Sequence, residues 1–323
     1  MSVLINIRSK LLKNSIGKKI FLFYHYLFAV PYSKFKLLRY YLKRNNKDFK
    51  NLRNVRFFTN DELFEKLIKE KKSLVRFGDG EISWIYQKSK GYFGQENSKE
   101  LSDKLKYILT TPTEKTILAI PNFFGKFEGY SKSRIESKNI HLGKFADKWL
   151  KLLDLDYIYG DALVTRVYNG RFGIDFSNEF SKWKNVWKDR DIVIVEGEGT
   201  KFGVGNDLLA GASTIKRIIA PSENAFSKYN TILECVLELK NDALVLIALG
   251  PTATILAYEL TENYNFQAID IGHLDIEYEW FLNNSKKASP VKGKYVNEAG
   301  GMSLEELDVE SLTSYNDEII IRI

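Results

Sequence analysis

Two carboxylates stand one residue apart in the stretch SLVRFGDGEISWI, residues 73–85, directly after an apolar run. Asp79 and Glu81 flank Gly80, with Arg76 and Gly78 just upstream. Acids at i and i+2 on a glycine turn can face one hard divalent cation, because the glycine permits the tight backbone path. Mg²⁺ or Mn²⁺ held by one or two carboxylates, with substrate phosphates as further ligands, is the usual arrangement for phosphate chemistry. The same residues also suit an ordinary solvated turn.

Three further stretches concentrate polar residues. VEGEGTKFGVGNDL (195–208) carries Gly197, Gly199, Gly203 and Gly205 and ends in Asn206 and Asp207, which suit the cap of a following helix. Free backbone amides leading into a helix N-terminus fit an anion such as a diphosphate, and Lys201 would pair with it. The spacing is neither G-x-G-x-x-G nor a Walker pattern, so a dinucleotide or P-loop identity does not follow. In LGPTATILA (249–257), a strand-to-helix turn places Thr252 at a ligand or simply starts a helix. AIDIGHLDIEYEWF (268–281) is the densest, delivering His273, Asp275, Glu277 and Glu279 after a strand that ends near Asp270. Such a cluster is where a general base is expected, although an amphipathic segment has the same alternation. GKYVNEAGG (293–301) adds Lys294 and Glu298, and YGDALVTRVY (159–168) adds Asp161, Thr165 and Arg166, a guanidinium suited to phosphate.

Alternating elements must position these groups. NDELFEKLIKE (60–70) reads as a helix capped by Asn60, SLVRFG as a strand, SKELSDKLKYILT (98–110) as a helix and KTILAIP (115–121) as a strand. A helix over 144–154 and strands over 191–197 and 215–221 follow. Ser222 is expected to cap a helix to about Leu239. A strand at 242–250, a helix from Pro251 and a strand at 267–272 complete the run. This alternation predicts an α/β fold with a Rossmann-like, doubly wound, mostly parallel sheet. Ligands bind such sheets at the carboxyl ends of strands, which is where the polar stretches fall.

Charge divides the chain differently. Residues 1–56 hold 14 Lys and Arg against the single acid Asp48, whereas the remaining 267 hold 34 against 40. A basic, aromatic, helical N-terminal arm (1–56) therefore precedes a mildly acidic body (57–323), and a body of that sign argues against nucleic-acid binding across the fold. Ile20 to Ser33 is uncharged but shorter than the roughly 20 residues that span a bilayer, and no signal-type cleavage site follows. Flanking cations and aromatics suit an anionic membrane surface, or else a helix packed on the body. Cys235 alone forms no internal disulfide, which favours a cytoplasmic setting, and the three histidines lack zinc-type spacing.

RFGDGE, YGDALVTR, VEGEGTKFGVGNDL, APSENAF, LGPTATILAYEL, AIDIGHLDIEYEWF and GKYVNE occur in an order that resembles the bacterial GT-D-type glycosyltransferases, over about residues 57–300. The resemblance implies a UDP-sugar donor, a divalent cation (commonly Mn²⁺) on Asp79 and Glu81, and a glycan or lipid-linked glycan acceptor. Glu277 or Glu298 would take the acceptor proton in an inverting transfer, with Asp275 and His273 as further candidates. Arg76, Gly78, Arg166, Lys201, Gly203, Gly205, Asn206 and Thr252 are the candidate donor contacts. Cell-surface polysaccharide or glycoprotein glycan synthesis at the inner face of the plasma membrane is the expected setting. A phospho- or pyruvyl-type transferase and a non-catalytic nucleotide-sugar-binding scaffold remain as alternatives.

Overall fold

In a computed structural model, residues 30–125, 127–239 and 242–323 are described. Among them, nine strands form one sheet in which every pairing is parallel. The strands are β1 (Arg56–Phe57), β2 (Ser73–Arg76), β3 (Thr116–Ile120), β4 (Ile158–Asp161), β5 (Asp191–Gly197), β6 (Thr214–Ala220), β7 (Leu244–Ala248), β8 (Gln267–Asp270) and β11 (Ile319–Arg322). Their spatial order is β1-β4-β3-β2-β8-β7-β5-β6-β11, and the short β9 (Tyr295–Val296) and β10 (Gly301–Met302) pair separately and antiparallel. The doubly wound expectation holds.

Alternation along the strands builds two cores. Val75, Leu118, Ile120, Val193, Val195, Val245 and Ile247 face one side; Leu74, Ile117, Ile192, Ile194, Leu244 and Leu246 face the other. Parallel strands covered on both faces are apolar at nearly every position, which is why 191–197 and 242–250 stand out in the sequence. The first side is covered by α4 (Glu81–Ile85), α5 (Lys99–Thr110), α6 (Lys132–Leu150), α8 (Tyr229–Leu237) and α9 (Pro251–Tyr264). The second is covered by α3 (Asn60–Ile68), α7 (Phe176–Trp187) and α10 (Leu274–Leu282).

This division locates a crevice. β2 and β8 are neighbours, yet the chain leaves β2 into α4 on one face and leaves β8 into α10 on the other. Divergence of adjacent strands to opposite faces opens a gap at their carboxyl ends, the switch point where open α/β sheets bind ligands.

Several local expectations are corrected. Thr59, not Asn60, caps α3, because its hydroxyl and the Glu62 carboxylate form a reciprocal capping box. The helix expected over 144–154 begins at Lys132, capped by Ser131. A 3₁₀ turn, Ala225–Lys228, precedes α8, so Ser222 does not cap it. No helix follows Asn206: its side chain accepts from the Leu208 amide at 3.0 Å, closing a turn, and β6 comes next.

The described part of the basic arm packs on the body. α1 (Val30–Lys43) and α2 (Lys47–Leu52) lie along α6, and Phe49, Leu52 and Val55 join the first core. Gly143 of α6 makes this possible, since a Cβ there would stand 2.9 Å from the Tyr40 amide nitrogen. Gly143→Val should therefore lift α1, at a cost of about 1–3 kcal/mol for overpacking. Limited trypsinolysis is expected to cut first within 34–56; protection equal to the parent chain would contradict this packing. Residues 1–29 lie outside the described set, including most of the uncharged stretch from Ile20, and no described helix is long and apolar enough to cross a membrane.

Candidate active site

Arg76 ends β2 and Asp270 ends β8, and their side chains meet across the crevice at 3.5 Å. Arg76 Nη1 also donates to the Ala162 carbonyl at 3.2 Å. Gly272 (φ 49°) lies so close beneath the guanidinium that no Cβ fits there. The Glu81 carboxylate folds back over Gly78, where an added Cβ would come within 2.9 Å of Oε2. Burial, with Asp270 and Asp79 as neighbouring charges, pushes the Glu81 carboxyl up to about 7 despite Arg76. Burial likewise raises Asp270 to about 6, against the pull of Arg76 and the Gly272 amide. Asp79 is exposed at the mouth. Asp270 and Glu81 thus share the Arg76 guanidinium, while Asp79 stands beside Glu81 and within electrostatic reach of Arg166.

Asp275, Glu277 and Glu279 separate because they lie on a helix. Residues four apart share a face and residues two apart do not. Asp275 and Glu279 turn together toward Lys294, at 2.7 and 3.0 Å, and toward Asn206, at 2.8 and 2.6 Å. Asp275 and Lys294 are buried, so this network ties the loop after β5 and the segment before β9 to α10. Glu277 points elsewhere. Fully buried, it accepts from the amides of Tyr168 and Asn169 at 2.9 and 2.5 Å, with Arg166 and Arg134 at 3.7 and 3.8 Å.

Arg166 reaches on to Glu298 at 2.9 Å, and the other Glu298 oxygen meets His273 Nε2 at 3.0 Å. Burial would raise the Glu298 carboxyl, but His273 and Arg166 outweigh it and hold it well below the usual carboxylate range. Burial and Arg166 lower the imidazole, so a neutral His273 donates through Nε2 to an ionised Glu298.

The structure thus brings Arg76, Gly78, Asp79, Glu81, Arg166, His273, Glu277 and Glu298 to one end of the sheet. It assigns Asp275 and Asn206 to the buried network instead. Gly203 and Gly205 bring their bare Cα atoms against Leu209 and Leu307, and Lys201 follows β5, two strands and roughly 10 Å from β8. Thr252 is fully buried in the first turn of α9, and its Oγ1 has no hydrogen-bond partner. Arg134 was not visible as a site residue, because its helix was expected to start twelve residues later; the Ser131 cap was the available signal. Asn169 carried no pattern of its own.

Buried polar atoms without a hydrogen-bond partner gather here. Among the described residues these include Arg76 Nε, Thr165 Oγ1, Asn169 Nδ2 and Glu277 Oε1. Unsatisfied buried groups cost about 1–3 kcal/mol each, so their concentration is a mark of a ligand site. For a divalent ion, the donor chemistry fits: carboxylate oxygens in negative surplus are what Mn²⁺ and Mg²⁺ take. Among the described residues no group of three or more His, Cys, Asp or Glu is arranged to hold a metal, so further ligands would have to come from a substrate.

Residues 74–299 match the family described as glycosyltransferase GT-D fold. The chain belongs to this family. The GT-D match opens within β2 and closes just past Glu298, so it brackets the whole crevice. Two curated relatives are similar: a probable glycosyl transferase Gly of Streptococcus gordonii, 35% identical over 76% of this chain, and the glycosyltransferase GlyD of Streptococcus pneumoniae serotype 4, 34% identical over 81%. The chain spans only about a third of their length, 36% and 32%. Among solved structures, a domain described as the highly conserved domain of unknown function 1792, with a distinct glycosyltransferase fold, superposes with a TM-score of 0.77 at 31% identity. That likeness covers 85% of this chain and 98% of the domain. A new glycosyltransferase (DUF1792) from Streptococcus sanguinis gives 0.77 at 33%, covering 83% and 99%.

Proposed function

We propose that the crevice between β2 and β8 binds a UDP-sugar with Mn²⁺ or Mg²⁺ and transfers the sugar to a hydroxyl of a glycan acceptor, in cell-surface polysaccharide or glycoprotein glycan synthesis. One observation carries the reading: at the switch point of a GT-D sheet, Glu81 is held beside two further carboxylates, Asp270 and Asp79, a gathering of acids that a divalent cation would balance. The names of the two curated relatives favour sugar transfer over the phospho-, pyruvyl- and scaffold alternatives.

Asp79 and Glu81 are the residues that would hold the ion. When bound, such an ion neutralises charge on the departing diphosphate. The remaining work falls to this chain's own side chains. Arg76, fixed by Asp270 and by the close approach of Gly272, keeps a positive charge at the strand end. Arg166 presents a second guanidinium oriented by Glu277 and Glu298. Thr165 Oγ1 and Asn169 Nδ2 offer hydrogen bonds to sugar or phosphate oxygens. Of the two acids considered as base, Glu277 is sealed under backbone amides, whereas Glu298 is ionised, partly exposed and steered by His273. An inverting transfer requires a carboxylate in that state beside the acceptor.

Thermal melting with UDP-glucose, UDP-galactose and UDP-N-acetylglucosamine, each with Mn²⁺ or with EDTA, tests the reading. At least one should raise the melting temperature and be hydrolysed slowly to UDP in Mn²⁺, with both effects lost in EDTA. A chain indifferent to every nucleotide sugar in either condition would remove the proposal.

A further inference from the structure

An exposed apolar stripe lies beside a group of cations assembled from three segments. α1 half-buries Lys36, Leu37, Tyr40 and Lys43 on the side that meets α6, and turns Phe35 (70% exposed), Leu38 (49%) and Leu42 (72%) outward. Spacing of i, i+3 and i+7 aligns these three on one stripe. α1 itself contains Lys34, Lys36, Arg39 and Lys43 and no acid.

Packing adds cations that are distant in sequence. Lys144 lies within electrostatic reach of Lys90, Lys36, Arg39 and Lys88, and Lys148 of Lys88, Lys144 and Arg39. Burial and then these like charges push both ammonium groups down, even though Asp147 pulls Lys148 the other way. Asp147 is itself taken up by Lys43 at 3.4 Å. Six cations from α1, α6 and the loop after α4 therefore share one surface with little compensation. Like charges gathered this way favour an anionic partner. The adjoining stripe of Phe and Leu is what an interfacial helix buries at the acyl boundary.

We infer that this surface docks on an anionic lipid bilayer, with Phe35, Leu38 and Leu42 entering the headgroup layer and the six cations lying over lipid phosphates. The proposal differs from attachment by a basic arm alone, because the loop after α4 and the exposed side of α6 take part. It also places the bilayer near the crevice. α4 begins with Glu81 and runs directly into that loop. A nucleic acid is the competing partner for a basic surface, but its phosphates do not call for three exposed aliphatic and aromatic side chains beside the cations.

Co-sedimentation of the full chain with phosphatidylcholine vesicles, with and without phosphatidylglycerol, is the test. Binding is expected only with the anionic lipid and should fall as salt rises. Lys88→Gln with Lys90→Gln should weaken it by about thirtyfold, from about 1 kcal/mol per cation near the surface. Phe35→Ser with Leu42→Ser should abolish the part that survives high salt. All four positions are exposed or in loops, and unchanged melting curves will show that the variants fold. Any of three results overturns the inference: no sedimentation with anionic vesicles, parental binding by the Lys88/Lys90 variant, or retention of the chain by RNA in the absence of vesicle binding.

Discussion

Asp79→Asn and Glu81→Gln should each lower Mn²⁺-dependent UDP-sugar turnover by about a hundredfold to a thousandfold, the range for removing one preorganised electrostatic partner of the reacting group. The fold should survive both changes. Asp79 is exposed, and Glu81 has Asp270 and Asp79 as neighbouring like charges, so its replacement by a neutral isostere relieves repulsion. The melting temperature without nucleotide is therefore expected to stay level or rise, while the Mn²⁺-dependent increment given by UDP disappears. Loss of activity with simple loss of stability is the signature of a structural acid and would move these residues out of the site. Activity within threefold of the parent in both variants would do so more directly. Glu298→Gln supplies the contrast: if that carboxylate serves as the base, as proposed, the variant should keep the Mn²⁺–UDP increment and lose turnover.

The largest effect on stability is expected from Arg217→Ala. Arg217 is buried in β6 and donates to Glu196 at 2.7 Å, to the Phe202 carbonyl at 2.9 Å and to Glu318 at 2.6 Å. Glu196 is fully buried in β5, and its second oxygen accepts from the Phe202 amide at 2.7 Å. Truncating the arginine leaves that carboxylate without its counter-charge, a loss of about 3–5 kcal/mol. For a chain of this size it corresponds to a fall of about 4–7 °C in the melting temperature. Part of the penalty should return in Arg217→Met with Glu196→Gln, since the double variant buries no charge; coupling of this kind is the expected departure from additivity. A single variant that melts within a degree of the parent would show that Glu196 finds another partner.

These two experiments separate clusters that look alike in sequence. VEGEGTKFGVGNDL contains glycines, acids and a lysine at a strand end, as a diphosphate loop would. In the fold, Glu196 belongs to the Arg217 pair, Asn206 to the Asp275–Lys294–Glu279 network, and the bare Cα atoms of Gly203 and Gly205 to close packing. RFGDGE has a less elaborate pattern but lies beside the switch point between β2 and β8.

What the sequence determined was local. Continuous apolar runs marked the strands, the Pro251 helix start was legible, and the acids after β2 and β8 fell at carboxyl ends where a parallel sheet binds ligands. The ordered motifs pointed to the GT-D family. Each of these follows from neighbours within a few residues, because strand period, helix period and turn chemistry are short-range properties. The partners were decided only by the tertiary structure. Arg76 meets Asp270, Arg134 and Arg166 close on Glu277, Tyr40 rests on Gly143, and Lys88 and Lys90 join Lys144. Those meetings join residues tens to hundreds of positions apart, and they depend on strand order and on which face of the sheet each helix covers. No local signal encodes that order; it is set when the two cores close around the sheet.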